Sequence, residues 1–271
     1  MWHWSRKSAQ LAIERDRITL FKLNGKASAP QPVRTHPICG LPSVADALQS
    51  CLSSIQATTS TVRISVSDFY ARFWIAHPPA EATTRLDLST SALWRFEELF
   101  GESAATWNIQ ADWKATRPFI ACGLPRLLTD AIAAAASANR IGVVSCLPRF
   151  VAEWNDHRRQ LRRCDSAWLV ALADSTATIA LLRRREIDQI QQIRCHAGSG
   201  VDLDALTAAL RALSLQAGHA CASTVMLCGD VPDEWHAVQN KEYRFERVAQ
   251  TAPALRLIEP ATIERLREQA Q

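Results

Sequence analysis

Three polar side chains in a row, Asp174-Ser175-Thr176, sit between two short apolar runs in the stretch ALADSTATIALLRRREI. Hydroxyls and backbone N–H groups at a strand turn can hold a phosphate. The same residues are also ordinary turn formers, because Asp and Ser side chains bond their own backbone. A second place with anion chemistry is HAGSGVDL, where Gly198-Ser199-Gly200 precedes a helix start. There Asp202 is the natural helix cap, and its charge repels anions, so this loop reads as a capped turn. Cys195-His196, His219, Cys221 and Cys228 are the one grouping with zinc-ligand residue types. Structural zinc sites present closely spaced ligand pairs on a turn, and only one loose pair occurs here, so no metal site is expected. No GxSxG occurs and the histidines are scattered, which leaves no catalytic constellation of the Ser/His/Asp type.

The bulk numbers narrow the classes further. The 271 residues are 48% hydrophobic and 21% charged, with a net charge of +4, the profile of a globular protein of one or two domains. Basic and acidic residues alternate over most of the chain, which speaks against a nucleic-acid partner. Apolar runs such as the alanine-rich stretch 131–136 are far short of the roughly 20 needed to cross a bilayer. Met1-Trp2-His3-Trp4 lacks the basic and apolar regions of a signal peptide, so a cytoplasmic location is expected. The eight cysteines, at 39, 51, 122, 146, 164, 195, 221 and 228, are spread singly without a CxxC pair, as buried apolar thiols are. The basic runs 157–163 and 183–185 suit either a solvated face or contact with anionic lipid. Of the nine tryptophans, Trp94 and Trp168 have core-like neighbours; Trp2, Trp4, Trp107 and Trp113 are less clearly placed.

The elements that would position these residues follow from periodicity. QLAIERDRITLFKLNGK reads as a hairpin ending at the Asn24-Gly25 turn. A Pro/Ser-rich connection over 27–37 leads to a helix near 43–55 with Val44, Ala47, Leu48, Cys51 and Leu52 on one face. VRISVSDFYARFWIAHPP is strand, turn, strand; 93–100 is a helix closed by Gly101; 107–117 is a strand region. Strand 119–123 enters a helix at 125–138 with a stripe of Leu127, Leu128, Ile132 and Ala135, stopped at Asn139. A buried strand (IGVVSCLPRF) and a basic helix or linker complete the first half. The second half reads as strands at 168–172, 176–182 and 187–194, a helix at 203–215, the strand STVMLCGD and a closing helix at 258–271. Each half thus opens on a strand–turn–strand unit, at 11–23 and at 168–182, which suggests a two-lobed α/β fold.

In that order the segments LAIERDRITLFKLNG, VRISVSDFYARFWIAHPP, RPFIACGLPRLLTDAIAAAASANRIGVVSCLPRF, WLVALADSTATIALLRRREI and STVMLCGDVP resemble the actin-like superfamily of actin, sugar kinases and Hsp70. Within it the chain looks most like the PilM proteins of type IV pilus assembly and the cytoplasmic part of GspL of type II secretion. The resemblance implies a duplicated, ribonuclease H-like fold. Its first lobe would span 1–163 with a small subdomain inserted at about 61–117. A reduced second lobe would span 164–271 and lack or shorten the subdomain that closes over a nucleotide.

Nucleotide-binding members of that superfamily turn each phosphate hairpin through an Asp-x-Gly-Ser/Thr loop, where glycine lets backbone N–H groups approach phosphate. Here Glu14-Arg15-Asp16-Arg17 replaces the first loop, with Asp16 at the glycine position. In the second, Ala171 and Ala173 fall at the Asp and Gly positions, leaving Ser175 and Thr176 as donors. The adenosine segment keeps a single glycine, Gly229, followed by Asp230. These departures imply a non-catalytic scaffold with no cofactor. It would sit on the cytoplasmic side of the inner membrane through a membrane-anchored partner, whose tail it grips between the main lobe and the inserted subdomain, with self-association left open. The other reading that the residues keep open is an ATP-binding enzyme or switch of the sugar-kinase/Hsp70 type, gripping ATP through Ser175, Thr176 and Gly229.

Overall fold

In a computed structural model, the structure describes residues 7–22, 31–55, 59–161, 164–173, 175–194, 201–217, 222–237 and 241–248. The chain lays down β1 (Lys7–Ile13), β2 (Arg17–Lys22), β3 (Gln31–Pro37), α1 (Val44–Ser53), β4 (Thr59–Val66) and β5 (Arg72–Ala76). It continues with α2 (Arg85–Phe100), β6 (Trp107–Ala111), β7 (Phe119–Pro125), α3 (Arg126–Ala138), β8 (Gly142–Pro148) and α4 (Arg149–Leu161). The second half gives β9 (Ser166–Ala173), β10 (Thr176–Arg183), β11 (Glu186–Arg194), α5 (Leu203–Ala217), β12 (Thr224–Gly229) and β13 (Arg244–Arg247).

Two five-stranded sheets have the same plan. The first runs β3-β2-β1-β4-β8 and the second β11-β10-β9-β12-β13. In each, three antiparallel strands are followed by two parallel ones. The duplication expected from the two opening hairpins is therefore present in strand order and strand sense. Residues in β9 alternate between two cores, which explains why its sequence is continuously apolar. Ala167, Leu169 and Ala171 join Leu11, Ile13, Val62 and Ile64 of the first sheet, with Phe150 and Leu161 of α4, in one shared core. Trp168, Val170 and Leu172 turn the other way, against Leu206, Leu210 and Leu213 of α5.

A three-stranded antiparallel sheet, β5-β7-β6, carries α2 on one face. Its core is aromatic: Phe96 lies 5.3 Å from Trp74 and 5.4 Å from Trp107, centroid to centroid. Of the strands in and around the stretch 61–117, β4 pairs with β1 and β8 in the main sheet, while β7 closes the small one. The unit therefore runs from β5 to β7. Helix α2 begins at Arg85, earlier than expected, because Thr84 and Asp87 form a reciprocal capping box; it ends on Gly101 at φ 64° as expected.

Further differences have equally local causes. The connection expected over 27–37 contains β3, an edge strand, where prolines 32 and 37 remove no ladder bond that the sheet needs. Trp94 is 67% exposed, since the buried stripe of α2 is Leu88, Ala92 and Phe96 at a spacing of four, which turns position 94 outward. Leu127 is likewise exposed beside the buried Leu128, Ile132 and Ala135 stripe of α3. Trp168 and the α1 stripe are buried as expected. The Asn24-Gly25 turn, Trp2, Trp4, the helix at 258–271 and the loop 198–200 lie outside the described residues.

Candidate functional site

The turn of the first hairpin and the start of β10 meet across the two lobes. Glu14 N–H donates to the Arg17 carbonyl at 2.8 Å and closes the first turn. Arg15 projects from it, and its Nη1 donates to Ser175 Oγ at 2.7 Å. The same guanidinium lies 4.6 Å over the Phe69 ring, and Tyr70 donates its hydroxyl proton to the Arg15 carbonyl at 2.9 Å. Phe69 and Tyr70 belong to a short 3₁₀ turn, Asp68–Tyr70, between β4 and β5. That turn therefore fastens the first hairpin from below while Arg15 reaches Ser175 from above. Glu14 is paired with Arg17, and the Asp16 carboxylate is largely exposed 3.6 Å from the same Arg17.

Asp68 forms a second tie. Its carboxylate accepts from Phe150 N–H at 3.0 and 3.2 Å and from Thr178 Oγ1 at 2.9 Å, while its carbonyl accepts from Gln192 Nε2 at 2.8 Å. One side chain thus joins the 3₁₀ turn, the start of α4 and the second-lobe strand β10. Burial pushes this carboxyl up to about 6, against the pull of the Phe150 and Thr178 hydrogen bonds and the Arg149 charge. A third tie is bidentate: Arg149 at the start of α4 donates to both carboxylate oxygens of Asp230, at 3.0 and 2.9 Å.

Each residue expected to grip phosphate has a place in this arrangement. Ser175 is buried and engaged by Arg15. Thr176 is 1% exposed, and its Oγ1 has no hydrogen-bond partner among the described residues. Gly229 has φ +86°, and a Cβ there would lie 2.1 Å from the Leu172 carbonyl oxygen. Its glycine is required by that backbone approach, which Asp230 N–H completes by donating to the Leu172 carbonyl at 2.9 Å. Ala171 and Ala173 are buried in β9; Asp174 lies outside the described residues, as do Cys195, His196, His219 and Cys221. Cys228 is buried, its thiol donating to the Val170 carbonyl at 3.5 Å, and burial holds it protonated. Asp202 caps α5 by accepting from Ala205 N–H at 2.5 Å.

Beside this junction, between the small sheet and α4, lies a groove of about 300 Å³. Phe119, Ile120, Leu147, Phe150, Val151 and Trp154 give it apolar walls. Arg15, Asp68 and Arg149 as cross-lobe residues were not visible in the sequence. The one signal was a lone carboxyl in an otherwise apolar, alternating run, ISVSDFYARFW, where an unpaired acid is costly to bury.

Duplicated sheets of this order, joined through hairpins that face each other, define the actin-like fold, and the chain has that fold. Among solved structures it is similar to a Bacteroides thetaiotaomicron protein with an actin-like ATPase fold and unknown function, at TM-score 0.57 and 10% identity over 87% of this chain and 88% of that one. It is similar at the same TM-score to a chain of the PilM-PilN type IV pilus biogenesis complex, with 12% identity over 83% of this chain and 81% of that one. The cytoplasmic domain of EpsL, an inner membrane component of the type II secretion system of Vibrio cholerae, aligns at TM-score 0.48 and 10% identity over 97% and 94% of the two chains. No protein-family model matches the sequence, and no curated protein matches it. Among the described residues no helix is long and apolar enough to cross a membrane.

Proposed function

We propose that this chain is a non-catalytic actin-like scaffold of a type IV pilus or type II secretion assembly platform. It holds the cytoplasmic tail of a membrane-anchored partner at the inner face of the membrane. The observation that carries the non-catalytic part is the hydrogen bond from Arg15 to Ser175, which commits a candidate phosphate-gripping hydroxyl to a partner within the protein. The apolar groove walled by Phe119, Ile120 and Trp154 supports the tail-binding part, since it is narrow and adjoins the inserted subdomain. The likeness in fold to PilM, solved in complex with PilN, gives the direction of the assignment.

Two measurements test it. Saturating Mg-ATP leaves the melting temperature of the full chain unchanged; a ligand at 100 times its Kd would add about 2.7 kcal/mol. Detergent-solubilised inner membranes yield a single-span protein retained on the immobilised chain and lost when Trp154→Glu charges the groove. A clear Mg-ATP shift that disappears in Thr176→Val would replace this reading with the ATP-binding one, which the partnerless Thr176 hydroxyl favours.

A further inference from the structure

A second groove, of about 1200 Å³, separates β5 from β11, with α2 and α5 on its flanks. Both strands are edge strands, so one side of each backbone ladder faces the gap unpaired by its own sheet. At one end Arg194 of β11 donates to the carbonyl of Ala71, just before β5, at 3.2 Å, and at the other Arg117 and Lys114, between β6 and β7, pair with Glu186 of β11 at 2.7 and 3.2 Å.

Six arginines line this groove: Arg72, Arg95, Arg117, Arg183, Arg184 and Arg194. Only two carboxylates, Glu186 and Asp188, line it with them. Glu102 and Glu98, which pair with Arg72 and Arg95, reduce the excess without removing it. Burial and the neighbouring Arg72 charge lower the proton affinity of Arg194, against the opposing pull of Glu102. Arg184 has no salt-bridge partner among the described residues. It sits at φ 51° and Arg185 at φ 70°, in the two-residue turn between β10 and β11. Such turns favour Asn-Gly, and holding side-chained residues there costs about 1 kcal/mol or more each. Strain of that kind places charge where a partner can use it. Two buried polar atoms of groove-lining residues, Trp74 Nε1 and Gln189 Oε1, lack partners among the described residues.

We propose that this groove receives an extended, acidic segment of a partner protein, which lies as an added strand along β11 with its carboxylates on the arginines. The nine residues of β11 span roughly 30 Å at about 3.3 Å per residue, and because both ends are held the added segment is shorter than the strand. Backbone pairing supplies affinity in such additions and side-chain pockets supply selectivity. This groove adjoins the tail groove through Pro118, Glu186 and Ile187 and is the wider of the two, with more arginines in its lining.

The test uses the full chain and a fluorescein-labelled peptide of four Glu-Val repeats, followed by fluorescence anisotropy. Saturable binding is expected that weakens at least tenfold in the Arg183→Glu/Arg184→Glu double variant and weakens with added NaCl. The same peptide N-methylated at alternate amides is expected not to bind, and it needs no protein variant. Equal binding of the methylated peptide, or of a Lys-Val repeat, overturns the proposal. So does binding to vesicles containing anionic phosphatidylserine with none to the peptide, which would make the arginine turn a membrane contact. Trp154→Glu is expected to leave peptide binding unchanged, so failure here and failure of the tail-binding reading are told apart.

Discussion

Asp68 keeps a carboxyl where water cannot reach it, and the consequence is a pH dependence of known sign. Its folded-state value of about 6 lies above the ordinary 3.8. Between those values the unfolded chain has released this proton and the native one retains it, so stability falls as pH rises through the window. Above about pH 6 the native state carries the full penalty, on the order of 2–3 kcal/mol. Asp68→Asn keeps an acceptor for Phe150 N–H and Thr178 Oγ1 and removes the titration. Urea unfolding at pH 5 and pH 8 is therefore expected to show wild type losing stability relative to the Asn variant as pH rises; parallel profiles would refute the buried-charge account. The candidate site was half legible at this scale. Ser175, Thr176 and Gly229 could be named from the sequence because turn residues announce themselves. Arg15 could not, because what a surface-type side chain touches depends on which turn the fold brings opposite it. Gly229 shows the other limit: its residue type signalled close approach, and the approaching atom is the Leu172 carbonyl oxygen.

At the level of elements, local chemistry set most boundaries. Gly101, Asn139 and Asp202 end or start helices as their residue types require. The start of α2 was missed because the capping box lies in a stretch, EATTRLDL, whose apolar content is too low to suggest a helix. Thr84→Ala should lower stability by about 1 kcal/mol, read as a fall in thermal midpoint, while Thr84→Ser retains most of it. An unchanged Thr84→Ala midpoint would mean that packing of Phe96 against Trp74 and Trp107 alone fixes the helix. Which strands belong to the small sheet is decided non-locally. β4 and β5 are consecutive and similarly apolar, and only their pairing partners decide which sheet owns each.

For the molecule as a whole, the two lobes are one packing unit. The face of β9 and β10 that carries Leu169, Ala171 and Ala180 closes on the same core as Leu11 and Ile64. Arg15–Ser175, Asp68–Thr178 and Arg149–Asp230 pin its rim. Tryptophan fluorescence and far-ultraviolet circular dichroism should therefore report one coincident urea transition; a first transition confined to one lobe would contradict the shared core. The duplicated architecture was readable from two apolar hairpins in sequence, whereas the shared core was not, since alternation reveals that both faces of a strand are buried without saying against what. That core also bears on synthesis. The first lobe leaves the ribosome with the apolar side of Leu11, Ile13 and Ile64 uncovered. At about 5–20 residues per second it waits on the order of a few seconds for β9 and β10 to be made. During that interval the nascent chain is a substrate for chaperones, and no stop in translation between the lobes would release a soluble half.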